Sequence, residues 1–147
     1  LGGSTVYLTE SGGNTFDLDV WQHLLITRDS SNNITAFRNG ASFGSSATNS
    51  NTATIDSIGK FNNSAFINSK VDEVAIFNTD QSANVSTIYN SGEPDNLSTL
   101  SPILWLRMGD AATWDGSKWT LVDQGSGGTN AESSNMVEAD RVTDIPS

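Results

Sequence analysis

Apolar and polar residues alternate along most of the first half of the chain, the period of strands that turn one face inward. Residues 4–9 and 15–20 read as two such strands, separated by the turn-forming Ser11-Gly12-Gly13-Asn14. Trp21 opens a third strand, Gln22-His23-Leu24-Leu25-Ile26-Thr27-Arg28, and Ile34-Thr35-Ala36-Phe37-Arg38 is its successor. Asn39-Gly40 then closes a tight hairpin, because both residues accept the positive φ of a type I′ turn. Residues 41–54 are nearly all small or polar, residues 55–61 resume a strand ahead of a polar turn at Asn62-Asn63-Ser64, and residues 66–77 form the strongest β segment.

One segment breaks the alternation. Val85, Ile88 and Tyr89 stand at i, i+3 and i+4, Asp80 is placed as an N-cap and Gly92 as a stop, so a single short helix is predicted over about residues 80–90. Beyond it, residues 103–108 read as a compact apolar strand, and Trp114 to Trp119 as a hairpin turned at Asp115-Gly116. From Asp123 the chain is polar and weakly periodic, which predicts irregular structure tethered by Met136, Val137 and Ile145. The pattern as a whole predicts an all-β fold, an antiparallel two-sheet β-sandwich with one short helix, and Trp21 and Trp105 as core anchors. Residues 1–122 are assigned to the sandwich and 123–147 to a polar C-terminal extension, with the alternative that 101–147 begins a second unit.

A chain of 147 residues has room for one domain, and its 35% hydrophobic content with abundant Ser, Thr, Asn and Gly suits strands and turns over helix interiors. Seven Lys and Arg against 17 Asp and Glu give a net charge of −10, which repels nucleic acid and anionic membrane surfaces. With no cysteine, disulfides and thiolate metal sites are excluded. No apolar run approaches the roughly 20 residues that span a bilayer, so membrane insertion is not expected. The opening Leu1-Gly2-Gly3-Ser4 is neither an initiator methionine nor a secretion signal, and the chain reads as a piece of a longer polypeptide. Four N-x-[ST] triplets, at Asn33, Asn62, Asn84 and Asn96, are what this composition produces by chance.

The order of three motifs resembles a known family. Trp21, His23 and Thr27 match W-x-H-x-x-x-T, Phe37-Arg38-Asn39-Gly40 matches an apolar strand ending in N-G, and Asp72-Glu73-Val74-Ala75-Ile76-Phe77-Asn78 matches I-D-E-V-x-I-[YF]-[ND]. This set is similar to the laminin-G-like members of the concanavalin A-like lectin/glucanase superfamily over about residues 1–93, with residues 82–92 resembling the helix and exit turn that close such a domain. The resemblance implies a concanavalin A-like jelly roll. Leu104-Trp105-Leu106-Arg107-Met108-Gly109-Asp110 and Asp123-Gln124-Gly125-Ser126-Gly127-Gly128 resemble stretches that usually start a laminin-G-like domain, yet here they follow the closing helix. Either the strand completes this sandwich in a rearranged order or it begins a second unit. With Asn135-Met136 and Asp144-Ile145-Pro146, these stretches look like parts of virion structural proteins of marine bacteriophages, which implies a particle component such as a capsid decoration or tail fibre.

The glucanase branch of that superfamily uses a same-face carboxylate pair, about 5 to 5.5 Å apart for a retaining reaction. Asp72 and Glu73 are adjacent, so in a strand they would point to opposite faces, one facing solvent or capping neighbouring backbone and the other pinning a loop. His23, the only histidine, has no nucleophile motif beside it and reads as a packing or hydrogen-bonding residue. The resemblance brings in calcium, which such domains hold through loop Asp, Asn and carbonyl oxygens. Asp17, Asp19, Asp110, Asp115 and Asp123 are available, with Asp110 and Asp123 the foremost candidates, although no spacing matches a dedicated calcium loop and a solvated acidic rim is the plainer reading. Trp114, Asp115 and Trp119 are the candidate sugar-binding residues, an aromatic platform beside a carboxylate, or else the two indoles form a packed cross-strand pair. These readings lead to a non-enzymatic structural or adhesion module of a virus particle or extracellular surface. Its partners are proteins, including other copies of itself, with Met136, Val137 and Ile145 as assembly anchors. The alternative is a carbohydrate-binding lectin module of a larger protein.

Overall fold

In the computed structural model, described here for residues 17–52, 54–55, 57–61, 65–143 and 146, β-structure dominates and every strand pair is antiparallel. The described residues fall into two compact units, one drawn from Leu1–Thr52, Thr79–Leu97 and Pro146–Ser147, the other from Ala53–Asn78 and Ser98–Ile145.

The first unit is built on a sheet of three strands in order, β1 (Leu24–Arg28), β2 (Asn33–Arg38) and β3 (Ala41–Thr48). The β1–β2 turn is organised by Asp29, whose Oδ1 accepts from the backbone N–H of Ser31 at 2.8 Å and of Asn33 at 2.9 Å. Such an Asx turn is what lets Asn32 take its φ of 64°. Asn39 and Gly40 turn β2 into β3 with φ of 50° and 77°, the type I′ geometry that their sequence predicts. The Asn39 side chain accepts from His23 N–H at 2.9 Å, tying the hairpin to the start of β1. Gly40 is required twice over: its φ is positive, and a Cβ there would lie 2.6 Å from the Tyr89 ring.

Among the described residues of this unit, Ala36, Thr27, Gln81, Val85 and Leu97 are buried. The predicted helix is present in three pieces, a 3-10 turn at Ser82–Asn84, α1 (Val85–Tyr89) and a second 3-10 turn at Asn90–Gly92. Asp80 does not itself cap it; Gln81 holds the cap position, and Asp80 accepts from Ser82 N–H and Oγ in the preceding turn. Helix exit occurs at Asn90, in the left-handed region, two residues before the expected Gly92.

Several strand expectations change. β1 begins at Leu24, three residues after Trp21, and Trp21 is half-buried, so it is not the core anchor its size suggested. Residues 18–19 form a turn with Asp19 at φ 60°, which ends any strand over 15–20; residues 4–9 lie outside the described residues. The polar stretch after Gly40 contains the longest strand, β3, because pairing with β2 supplies what its side chains do not. Conversely, residues 55–61 and 66–77 retain only β4 (Lys60–Phe61), β5 (Ala65–Phe66) and β6 (Val74–Ile76). Asn62-Asn63-Ser64 lies outside the described residues.

The second unit centres on β7 (Leu104–Leu106), which pairs with β6 in the register Val74 to Leu106, Ala75 to Trp105 and Ile76 to Leu104. On its other edge lies the segment after Asp123: Gln124 N–H donates to Trp105 O at 2.8 Å, Ser126 N–H to Pro102 O at 2.9 Å and Gly127 N–H to Ile103 O at 2.8 Å. Gly127 is needed for that approach, since a Cβ would overlap the Ile103 carbonyl oxygen. β8 (Thr113–Trp114), β9 (Trp119–Leu121) and β10 (Ala131–Glu132) form a second three-stranded sheet in the order β10-β9-β8. Among the described residues of this unit, Leu106, Trp105 and Trp119 are buried at 0%, 4% and 8% exposure, and Pro102 is buried as well. The chain after Asp123 is therefore less irregular than its polarity predicts. The Met136 and Val137 side chains, 41% and 59% exposed, do not anchor it by burial, although the Val137 carbonyl accepts from the Trp119 indole; Ile145 lies outside the described residues.

Candidate functional site

Continuing the β6–β7 register by one step sets Glu73 opposite Arg107, an opposite-charge cross-strand pair. Arg107 Nε donates to Glu73 Oε1 at 2.9 Å, and the Trp105 indole Nε1 donates to Glu73 Oε2 at 2.8 Å. Ala75 is what leaves room for this: the small residue opposite Trp105 allows the indole to lean along the strand to Glu73. The guanidinium also lies 5.4 Å from the Trp105 ring and reaches Asp110 Oδ2 through Nη2 at 3.1 Å. Glu73 is held at φ 48°, outside strand geometry, so the premise that Asp72 and Glu73 alternate across a strand does not hold. Asp72 instead accepts from Glu73 N–H at 3.0 Å. Burial pushes the Asp72 carboxyl above the usual range, assisted by the Glu73 and Asp110 charges and opposed by that hydrogen bond and by Arg107.

Asp123 organises the neighbouring loop. Its Oδ1 accepts from Trp105 N–H at 2.8 Å and Gly125 N–H at 2.7 Å, and its Oδ2 from Thr129 N–H at 3.0 Å. Partial desolvation raises its pKa, but backbone donors from Trp105, Gly125, Thr129 and Gly128 outweigh this and hold it below the ordinary value. The two foremost calcium candidates thus stand in different roles, Asp110 on a guanidinium and Asp123 on backbone N–H groups. Among the described residues no group of three or more His, Cys, Asp or Glu is arranged to hold a metal ion. Asp17 and Asp19 are exposed, and Asp17 offers its carbonyl oxygen to Gln22 Nε2 at 2.9 Å.

Trp114 and Trp119 face each other across β8 and β9 as register partners, ring centroids 5.5 Å apart and tilted by 51°. Trp119 is buried and donates Nε1–H to Val137 O at 3.2 Å, so it offers no stacking face, whereas Trp114 is half-exposed. Asp115 accepts from Ser117 and Lys118 N–H and is pulled below the usual range by them, the behaviour of a turn residue. Lys118 pairs with Glu132 across β9 and β10 at 2.7 Å. His23 packs 5.6 Å from Tyr89, and burial pushes its imidazole pKa down.

Sequence reasoning missed the Glu73–Trp105–Arg107 cluster. Part of the signal was available: Trp105 and Arg107 stand two apart, the spacing of residues that share a strand face. What it lacked was the register joining the two segments.

Among the described residues no helix is long and apolar enough to cross a membrane. A family model described as the concanavalin A-like lectin/glucanases superfamily, of laminin-G type, matches residues 2–85, more than half the chain. No curated protein and no solved structure matches it.

Proposed function

Since the chain belongs to the concanavalin A-like lectin/glucanases superfamily, we propose that it is a non-enzymatic adhesion or assembly module whose sheets close into the two-sheet sandwich of that family. The observation that carries this reading is how the carboxylates of the second unit are used. Both oxygens of Glu73 and of Asp123 receive N–H donors, and both side chains join neighbouring chain segments to one another. A hydrolytic carboxylate pair instead needs oxygens turned towards a common substrate space. The setting is a virus particle or an extracellular surface; support for the particle comes from the resemblance of the segments at Trp105, Asp123 and Met136 to virion structural proteins. The net charge of −10 disfavours nucleic acid as a partner.

Met136 and Val137 supply a surface for such contacts. Their side chains are exposed while the Val137 backbone is fixed at both ends, N–H to Asp140 Oδ2 at 2.7 Å and C=O to Trp119. Changing both to Ser leaves those bonds in place and removes two apolar side chains worth about 1.5–3 kcal/mol each when fully buried. Self-association of the parent chain, followed by sedimentation velocity over a concentration series, should weaken tenfold or more, on the order of 1.4 kcal/mol per decade. A parent chain that stays monomeric, or association unchanged in the variant, contradicts the assembly reading. It would put the lectin reading ahead, for which the half-exposed Trp114 beside the Asp115 turn is the favouring observation.

A further inference from the structure

The second unit is made from two stretches of chain that are not consecutive. The chain leaves it at Asn78, contributes Thr79–Leu97 to the first unit, and returns at Ser98. Among the described residues, the two stretches are joined at a seam made by the β6–β7 ladder, Ile103 N–H on Ile76 O at 2.8 Å, and the two side-chain bonds from Trp105 and Arg107 to Glu73. The remaining partners of β7, in the Asp123 loop, come from its own stretch and would travel with it.

The return path is short and strained. Leu97, the last residue of the Thr79–Leu97 stretch, is buried and so is Pro102, and only Ser98–Ser101, which open the returning stretch, stand between these two buried residues. These residues are folded into the 3-10 turn Leu97–Leu100, after which Ser101 takes φ 53° directly before proline. A left-handed conformation costs a non-glycine residue free energy, and a following proline restricts it further towards extended geometry. Opened out, the same four residues relax into that extended form and reach about 13 Å. Strain in a short connection that extension would relieve is the condition under which an element exchanges between identical chains.

We propose that Ser98–Ser101 is a hinge and that the stretch from Pro102 through the Asp123 loop and β10 can dock on β6 of a second copy of this chain, making every seam contact in trans. The exchange deepens the assembly reading and rests on it, with the partner specified as an identical chain and the surface as the β6 edge with Glu73.

The cysteine-free sequence permits a direct test. Ile76 and Leu104 are register partners at the seam, both half-buried. Ile76→Cys and Leu104→Cys would be made on separate chains, mixed at equal amounts, unfolded, refolded together and oxidised mildly. Neither chain can close an internal disulfide, so the mixed disulfide forms only if the strands pair between chains. The proposal predicts that it exceeds both like-with-like disulfides several-fold, and that adding Ser101→Gly to both chains, which removes the hinge strain, lowers its yield several-fold. The double variant Ile76→Cys/Leu104→Cys on one chain must form a disulfide, which verifies that the substituted seam still assembles. Monomers only, or the statistical mixture of disulfides, overturns the exchange. If sedimentation still shows self-association in that case, the assembly reading survives and only the exchange fails.

Discussion

Replacing Trp105 with Ala should destabilise the second unit by about 3–5 kcal/mol, the range for removing a large buried aromatic. Trp105 is 4% exposed, its backbone N–H and C=O are both bonded to the Asp123–Gln124 segment, and its indole donates to Glu73. The substitution opens a cavity and removes one of the two donors to the Glu73 carboxylate, so the lost packing is compounded by a partly unsatisfied charge. Trp105→Phe separates the two effects, since it keeps most of the ring and loses the N–H; it should cost about 1–3 kcal/mol. Trp21→Ala should cost clearly less than Trp105→Ala, because Trp21 is only half-buried. Denaturant unfolding followed by fluorescence of the remaining indoles measures all three variants. Equal losses for Trp21 and Trp105 would mean that the buried centre has been misplaced.

Asp123→Ala should be the next most damaging change. One carboxylate satisfies the backbone N–H groups of Trp105, Gly125 and Thr129, so its loss orphans donors on β7 and in the loop together. Bonds to a charged group are worth roughly 1.5–3 kcal/mol each but are not additive within one network, which sets the expected cost at about 3 kcal/mol or more. The depressed pKa fixes the pH dependence. An acid whose folded pKa lies below its ordinary value of 3.8 stabilises the fold fully above that value and loses the contribution as pH falls through the folded pKa. Acid unfolding of the parent below about pH 4 should therefore be steeper than that of Asp123→Asn, in which no charge remains to titrate. Superimposable acid-unfolding slopes would show that the carboxylate contributes no such linkage.

Local chemistry was legible in the residues themselves. Asn39-Gly40 makes its turn wherever it sits, and the Val85, Ile88 and Tyr89 spacing declares a helix without tertiary help. The Trp114–Trp119 pairing was equally accessible, because a two-sided Asp-Gly turn brings its flanks together. Long-range pairing was not. β3 is polar and reads as loop until β2 is beside it, while residues 66–77 read as one strand until Glu73 turns left-handed to meet Trp105 and Arg107. Asp123 illustrates the same limit at the site. Its acidity and Gly-rich neighbourhood suggest an ion-binding loop, and only the placement of Trp105 eighteen residues earlier identifies its partners as backbone N–H groups. Met136 and Val137 were read both as tethers and as assembly anchors because they are apolar in a polar tail; that their side chains are exposed could not be told from the sequence.

If the acidic groups of the second unit frame the protein, as proposed, they do not perform hydrolysis. Incubating the parent chain, Asp72→Asn and Glu73→Gln with a panel of β-glucans and measuring released reducing ends decides this. No turnover is expected from any of the three, with Glu73→Gln still folded. Turnover by the parent that disappears in a folded Asp72→Asn or Glu73→Gln variant would overturn the non-enzymatic reading.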